Sequence, residues 1–161
     1  MEHLDNAITF LKGQSTFENL SMENLRIVAE LTRSASYLEG TVVAEEGDDA
    51  GDFYLIKSGK VSIAAISDRD YITVTELEEN CVFGWSWFIP PYKWTFSART
   101  LKDTELYVVD GKVLREKCAE KADLGFQLMG KIAEISSSRL IETRKQLADY
   151  YKRYKNDLKM W

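Results

Sequence analysis

The stretch of sequence that decides the fold runs from Val42 to Val61 and reads VVAEEGDDAGDFYLIKSGKV. A short apolar run is followed by a turn-forming cluster, Gly47 to Gly51, and then by the aromatic and aliphatic run Phe53 to Lys57. This alternation of β-prone runs with glycine and aspartate is typical of short strands joined by tight turns. Ser58-Gly59 comes next, and a two-residue connection can reverse the chain if the glycine adopts a positive φ. We therefore predict a β-hairpin at Ser58-Gly59.

The same pattern continues on both sides of this stretch. Turn-forming clusters separate six short runs that are rich in β-branched and aromatic residues. The predicted strands are Thr41 to Ala44, Phe53 to Lys57, Val61 to Ile66, Tyr71 to Leu77, Trp94 to Leu101 and Glu105 to Val109. Strands this short and closely spaced favour an antiparallel sandwich or barrel over a parallel sheet with crossover helices.

Helical periodicity frames this β-rich region. Residues 1–37 are predicted to be helical, with Ser15 or Ser21 as a capping residue and with Leu25, Val28 and Leu31 at near-helical spacing. Residues 112–161 are predicted to form a short helix and then a long one that begins near Leu124. The fold class is thus mainly β, with N-terminal helices and a long C-terminal helix.

Apolar residues recur every seven positions along the predicted long helix. They are Phe126, Ala133, Leu140, Leu147, Tyr154 and Trp161. A sustained heptad pattern is typical of a helix that pairs with another helix, so we predict a homodimer through this element. The alternative is a helix that packs on its own barrel, which suits Leu128, Ile132 and Ile135.

Composition excludes several classes of protein. The 161 residues suffice for one domain, 1–161, with one sizeable core. His3 is the single histidine, which leaves no multi-histidine metal site and no Ser-His-Asp triad, so an enzyme is not expected. Cys81 and Cys118 lack metal-ligand spacing and indicate reduced thiols. With no signal peptide and no apolar run of about 18 residues, the prediction is a cytoplasmic protein without a membrane partner.

The quoted stretch and the later Val82-Phe83-Gly84 resemble the pattern of the cyclic nucleotide-binding domain family, of the Crp/Fnr-like sensory type. The order of helices, small barrel and long helix also matches. The resemblance implies an antiparallel double-stranded β-helix, or jelly-roll-like barrel, over residues 38–111 with a phosphate-binding cassette at 82–99. It also implies a regulatory domain that senses a small molecule.

The cassette departs from the family pattern at its charged positions. The family places a glutamate directly after Phe-Gly, where this sequence has Trp85, and an arginine before a small residue in the next strand. With a one-residue gap, Trp94 falls on the arginine position and Thr95 on the hydroxyl position after it. A buried phosphate without a cation is strongly disfavoured, so we expect an altered ligand rather than ordinary cyclic AMP.

Aromatic side chains dominate the segment that replaces these charges. In one interpretation, the rings enclose a small, partly apolar ligand, with polar groups that give selectivity. In the other, the tryptophans fill the pocket and the domain binds no ligand. Lys93 and Arg99 are candidates to restore an anion site, since Arg99 shares a strand face with Thr95 and Ser97 in a continuous strand. The candidate pocket consists of Phe83, Gly84, Trp85, Ser86, Trp87, Lys93, Trp94, Thr95 and Arg99.

The functional hypothesis is a stand-alone, small-molecule-sensing regulatory domain; the alternative is a ligand-free dimerisation or protein-interaction module. No cofactor is assigned, and the ligand could be a cyclic nucleotide or another small, partly apolar molecule. The sequence ends at Trp161, without room for a helix-turn-helix domain, so sequence-specific DNA binding is not expected. The basic residues after Ser138 alternate with the heptad and fit a solvated helix face.

Overall fold

A computed structural model describes residues 2–67 and 70–158 of the chain. The chain forms two compact units, the first up to Gly125 and the second from Phe126. The elements in chain order are α1 (Glu2–Lys12), α2 (Met22–Glu30), β1 (Thr32–Tyr37), β2 (Val42–Ala44), β3 (Asp52–Ser58), β4 (Val61–Ser67), β5 (Asp70–Leu77), β6 (Val82–Phe83), a 3-10 turn (Trp85–Trp87), β7 (Ser97–Thr100), β8 (Thr104–Asp110), α3 (Gly111–Glu120) and α4 (Ala122–Leu158).

The strands form two antiparallel sheets of four strands each. The first sheet has the order β1-β8-β3-β6 and the second sheet the order β2-β7-β4-β5. Side chains from both sheets meet in one core cluster, which includes Ile56, Val61, Ala98, Leu106 and Val108, all fully buried. The predicted fold class, mainly β with flanking helices and a long C-terminal helix, is confirmed.

Strand β3 is buried on both faces. Phe53 and Leu55 are 0% exposed, as is Ile56, and Tyr54 is 7% exposed. Because alternate side chains of a strand point to opposite faces, Tyr54 and Ile56 enter the core between the sheets while Phe53 and Leu55 face away from it. The ring of Phe53 contacts that of Phe17, which follows α1, so the N-terminal segment covers this outer face.

The N-terminal part is only partly helical, contrary to the prediction for residues 1–37. Ser21 caps α2 by accepting a hydrogen bond from the backbone N–H of Asn24. It is one of the two capping residues that the sequence predicts. The helix ends at Glu30, and residues 32–37 form β1, which pairs with β8 from Thr32 opposite Val109 to Tyr37 opposite Thr104. The strand lacks a sequence signal because Thr32 is its only buried residue.

The predicted hairpin at Ser58-Gly59 is wrong, although the conformation predicted for its glycine is right. Gly59 has φ +100°, but β3 and β4 do not pair with each other. The turn instead carries the chain from the first sheet to the second, as in a jelly roll. A short turn between two strand-like segments looks the same in the sequence whether the strands pair or change sheets. The hairpin of the second sheet lies between β4 and β5, which pair along their whole length.

The unit from Phe126 onwards is the greater part of α4. The helix, Ala122–Leu158, begins within two residues of the predicted start at Leu124. Trp161, the last member of the predicted heptad series, lies outside the described residues.

Candidate functional site

The cassette begins at a left-handed glycine. Gly84 follows β6 with φ +95°, and residues 85–87 then form a single 3-10 turn. A loop leads from there to Trp94, whose backbone is fixed by the turn at Gly47. The N–H of Gly47 donates to the carbonyl oxygen of Trp94 at 2.9 Å, and the N–H of Trp94 donates to that of Asp48 at 2.9 Å. The glycine-aspartate turn of the quoted stretch therefore positions Trp94.

The side chain of Trp94 lies in the core between the two sheets. It is 5% exposed, and its ring centroid lies 6.0 Å from that of Tyr54 and 5.5 Å from that of Phe96. Tyr54 in turn stacks on Phe83 at 4.9 Å. A β-carbon at Gly84 would lie 2.7 Å from Cη2 of Trp94, so the indole rests directly against the backbone of this glycine. The structure thus brings Phe83, Gly84 and Trp94 together.

Trp85, Ser86 and Trp87 belong to a different core, on the other face of β3. The rings of Trp85 and Trp87 stack on that of Phe53, at centroid distances of 5.3 and 5.5 Å. Trp87 is fully buried, and a β-carbon at Gly111 would lie 2.6 Å from its Cγ. The sequence-adjacent tryptophans are therefore separated from Trp94 by strand β3.

Arg115 of α3 holds the cassette turn in place, and the sequence did not single it out. Its Nη1 donates to the carbonyl oxygen of Trp87 at 2.5 Å, and its guanidinium lies 4.0 Å from the ring centroid of Tyr92. Charge-assisted hydrogen bonds and cation–π contacts are both favourable when partly desolvated. No local signal marks this arginine, because its partners lie 28 and 23 residues earlier in the chain.

The three remaining candidate residues, Lys93, Thr95 and Arg99, lie outside the barrel core. The ammonium of Lys93 is 2.7 Å from Oδ1 of Asp49, whose hydrogen bond raises the pKa of the lysine. Thr95 is exposed in a bend before β7. Arg99 lies over the ring of Tyr71 at 5.2 Å. The nine candidates therefore do not form one pocket.

A cleft of about 620 Å³ opens beside Trp94. Tyr54 and Trp94 line it together with Val42, Val43, Ala44, Glu45, Asp48, Asp49, Gly51, Asp52, Asp110 and Lys112. Among these described lining residues, five carboxylates thus face one lysine. Burial raises the pKa of Asp52, although Arg33 pairs with this carboxylate at 3.0 Å. An excess of carboxylates makes the cleft unfavourable for a phosphate anion.

Within residues 2–67 and 70–158, no group of three or more histidine, cysteine or acidic side chains is arranged to hold a metal ion. None of the helices in these ranges is long and apolar enough to cross a bilayer.

Comparison with known proteins places these features in a family. The family model described as the cyclic nucleotide-binding domain matches residues 34–121. A putative cyclic nucleotide-binding protein from Geobacter metallireducens GS-15 has 29% identity and a TM-score of 0.76, and the match covers 83% of this chain and 98% of that one. No curated protein sequence matches the chain.

Two more distant structures share the fold. A cyclic nucleotide-binding domain from Methylobacillus flagellatus KT has 16% identity and a TM-score of 0.75, with 91% of this chain and 83% of that chain covered. The sensor domain of the transcriptional regulator DNR from Pseudomonas aeruginosa has 20% identity and a TM-score of 0.72, with 88% and 96% covered. Because the family model covers more than half of the sequence and the two-sheet barrel agrees with it, the chain belongs to the cyclic nucleotide-binding domain family.

Proposed function

We propose that the chain is a regulatory domain whose barrel does not accept an ordinary cyclic nucleotide, and that it acts through association of its C-terminal helix. The observation that carries this proposal is the position of Trp94, which is buried in the core between the sheets. In the alignment with a one-residue gap, the family pattern has an arginine at this position. A guanidinium can hold a phosphate through two parallel hydrogen bonds, whereas an indole offers a single donor and no charge.

Among the residues that the structure describes, the surroundings of Trp94 supply no replacement cation. Lys93 is paired with Asp49, and Arg99 lies over Tyr71 instead of the cassette. The neighbouring cleft has five carboxylates against Lys112. A cyclic phosphate placed there would lose its hydration and meet net negative charge, which costs several kcal/mol in a partly buried site. These contacts support the interpretation that tryptophan fills the pocket.

A second candidate function keeps a ligand but changes its chemistry. The cleft of about 620 Å³ beside Tyr54 and Trp94 has the size of a small-molecule site. Its two rings and its carboxylates would suit a neutral or cationic molecule rather than a nucleotide phosphate. This is the altered-ligand hypothesis in the form that the lining residues favour.

The proposed association surface is a stripe of exposed side chains along α4, here called the α4 stripe. Its apolar members are Phe126 (82% exposed), Met129 (47%), Leu140 (52%), Leu147 (53%), Tyr150 (64%) and Tyr154 (54%), with the exposed Ala133 between them. Leu128 and Ile132 are buried and lie on another face of the helix. Apolar residues exposed at heptad spacing favour pairing with a second copy, since two identical stripes complement each other about a two-fold axis.

The histidine and the cysteines of the chain bear on two further parts of the proposal, a non-catalytic function and a cytoplasmic location. The single histidine, His3, has its Nε2 2.9 Å from the carbonyl oxygen of Thr32, a contact that ties α1 to β1 and suits a structural role. We propose a binding function rather than catalysis, which the match to the cyclic nucleotide-binding domain supports. Cys81 and Cys118 are unpaired thiols, which supports a reducing cytoplasm.

Titration of the protein with cyclic AMP and cyclic GMP tests the first part of the proposal. We expect no calorimetric heat of binding and no rise in melting temperature at about 1 mM nucleotide, because a bound ligand would stabilise the folded state. A cyclic AMP-binding domain with both cassette charges serves as the positive control. A micromolar dissociation constant for either nucleotide would contradict the proposal.

Light scattering after size-exclusion chromatography tests the second part. At tens of micromolar protein we expect a mass of about 37 kDa, twice the 18.5 kDa of one chain. The double variant Leu140→Asp, Leu147→Asp is expected to elute as a monomer, because a charge in a helix–helix seam is not solvated. Ile141→Asp is the matched control: Ile141 is 51% exposed, as Leu140 is 52%, but points about 100° away around the helix.

The two variants distinguish a specific helix–helix interface from non-specific apolar association. If Ile141→Asp dissociates the protein as fully as the double variant does, the α4 stripe is not the interface. A wild-type mass of 18.5 kDa at these concentrations would refute association altogether.

A further inference from the structure

The outer face of the second sheet carries a groove of about 230 Å³. Its described lining shares Val42 alone with the cleft beside Trp94. Val61, Ile63 and Ala98 point into the core, so the residues that alternate with them in β4 and β7 point outward. The groove is lined by Val42, Ser62, Ala64, Tyr71, Thr73, Ser97, Ala98, Arg99 and Leu101.

Small side chains form the floor of the groove. Ser62, Ala64 and Ser97 are 5%, 4% and 2% exposed, and their size leaves the concavity between larger neighbours. Both serine hydroxyls are already hydrogen-bonded. Ser97 Oγ accepts from the N–H of Glu46 at 3.0 Å, and Ser62 Oγ donates to the carbonyl oxygen of Arg99 at 3.3 Å. Each serine therefore keeps one hydrogen bond to the protein when apolar atoms cover the floor.

The walls are apolar and exposed. Val42 is 40% exposed and Tyr71 is 44% exposed, and Leu101 contributes a third side chain. The ring of Tyr71 is held in position because its hydroxyl donates to Oε1 of Glu45 at 3.1 Å. Glu45 itself does not line the groove. A ligand in the groove would thus contact hydrocarbon and a fixed aromatic ring.

Among the described residues that line the groove, Arg99 is the charged one. Its guanidinium lies 5.2 Å from the ring centroid of Tyr71, and it forms no ion pair with any residue in 2–67 or 70–158. A guanidinium placed over an aromatic ring keeps N–H donors available at its edge, and its planar fork matches a carboxylate through two parallel hydrogen bonds. A cation of this kind beside an apolar groove is complementary to an anion with an apolar body.

We propose that the groove binds a small apolar carboxylate, with its hydrocarbon on the Ser62, Ala64 and Ser97 floor and its carboxylate on Arg99. The volume of about 230 Å³ lies below the range of roughly 300–1,000 Å³ typical of drug-sized ligands, so the ligand is a small one. This site gives the domain a ligand outside the barrel. It does not depend on whether Trp94 fills the barrel or on dimerisation.

Three probes with the same carbon skeleton test the charge and the shape together. Phenylacetate, 2-phenylethanol and 2-phenylethylamine are titrated into the ¹⁵N-labelled full chain, and amide resonances are followed by NMR. We expect phenylacetate to shift the resonances of Ser62, Tyr71 and Arg99 saturably, with an affinity about tenfold higher than that of the amine. Sodium acetate at equal concentration, an anion without a ring, is expected to leave these resonances in place.

Two variants separate the contributions of charge and cavity. Arg99→Gln is expected to weaken phenylacetate about tenfold and to change 2-phenylethanol by less than about twofold. Ala64→Leu fills the groove and is expected to weaken both. Arg26→Gln, at an exposed arginine of α2, changes neither. Since Arg99 is exposed, Arg99→Gln leaves the fold intact even if Ala64→Leu does not.

Several outcomes would overturn the proposal. They are the absence of saturable shifts with phenylacetate at about 20 mM, equal binding of the amine, and shifts confined to β5 with none at Ser62 or Arg99. Binding that survives Arg99→Gln unchanged would also overturn it. None of these outcomes bears on the nucleotide titration or on the mass of the protein, so this proposal and the proposed function fail independently.

Discussion

Replacement of Trp94 by alanine is expected to lower the free energy of unfolding by about 3–5 kcal/mol, the usual cost of removing a large buried aromatic side chain. The indole is 5% exposed and packs against Gly84, Tyr54 and Phe96. Its removal leaves a cavity between two packed four-stranded sheets, so the site can collapse only in part. Urea denaturation at fixed protein concentration measures the change, because association would make the stability concentration-dependent.

Ile89→Ala is the control from the same segment. Ile89 is 48% exposed, and we expect a loss of less than about 1 kcal/mol. The comparison distinguishes the two interpretations of the aromatic cassette. A tryptophan that lines an open binding pocket contributes little to stability without ligand, whereas one that fills the core contributes most of its burial energy. A loss below about 1 kcal/mol for Trp94→Ala would therefore favour the ligand-lining interpretation.

Much of the fold could be predicted from local chemistry. The runs Phe53 to Lys57 and Val61 to Ile66 alternate or are continuously apolar, and both are strands. Ser21 was one of two proposed caps, and it caps α2. These features depend on residues close together in the sequence, where propensity, capping and turn chemistry all act. The strand β1 could not be predicted, because its residues are polar and its partner β8 lies about 70 residues further on.

The candidate site was less predictable than the fold. Trp85 and Trp94 belong to one continuous aromatic segment, yet β3 passes between the cores that they enter. Which core receives a ring depends on the side to which the chain turns after Gly84, and the long-range hydrogen bonds of Trp94 to the turn at Gly47 decide this. The sequence predicts that Arg99 is a cation beside the cassette. The alternation of β7 instead directs it to the outer face, where Tyr71 from β5 meets it.

The structure shows where part of the chain's excess of acidic side chains lies. The net charge of −5 excludes a wholly basic binding surface but says nothing about where the carboxylates lie. Five of them line the cleft beside Trp94. Two of these five have a basic partner, since Lys93 holds Asp49 and Arg33 holds Asp52. The groove with Arg99 lies on the outer face of the second sheet. We therefore expect cationic ligands to prefer the cleft beside Trp94 and anionic ligands to prefer the groove at Arg99.

The turn between β3 and β4 gives the second large prediction. Gly59→Ala is expected to lower the free energy of unfolding by about 2–5 kcal/mol, as the sum of a left-handed backbone cost and a steric clash. Gly59 has φ +100°, and an added β-carbon would lie 2.5 Å from Oγ1 of Thr104 and 2.6 Å from the carbonyl oxygen of Asp103. Neither atom can withdraw freely. Thr104 Oγ1 accepts from the N–H of Lys60 and donates to the carbonyl of Lys102, so the start of β8 is fixed.

Gly47→Ala isolates the steric part of this effect. Gly47 has φ +94°, nearly the same conformation, but its β-carbon would meet nothing within 4 Å. It should therefore lose only the backbone cost, about 1–2 kcal/mol. In the alanine variant the backbone N–H at this position still donates to the carbonyl oxygen of Trp94, so this hydrogen bond does not contribute to the difference between the two variants. Equal losses in the two variants, measured by urea denaturation, would mean that the β3–β4 turn has room to relax. A larger loss at Gly59 would mean that the close approach of β8 to this turn fixes the crossing between the sheets.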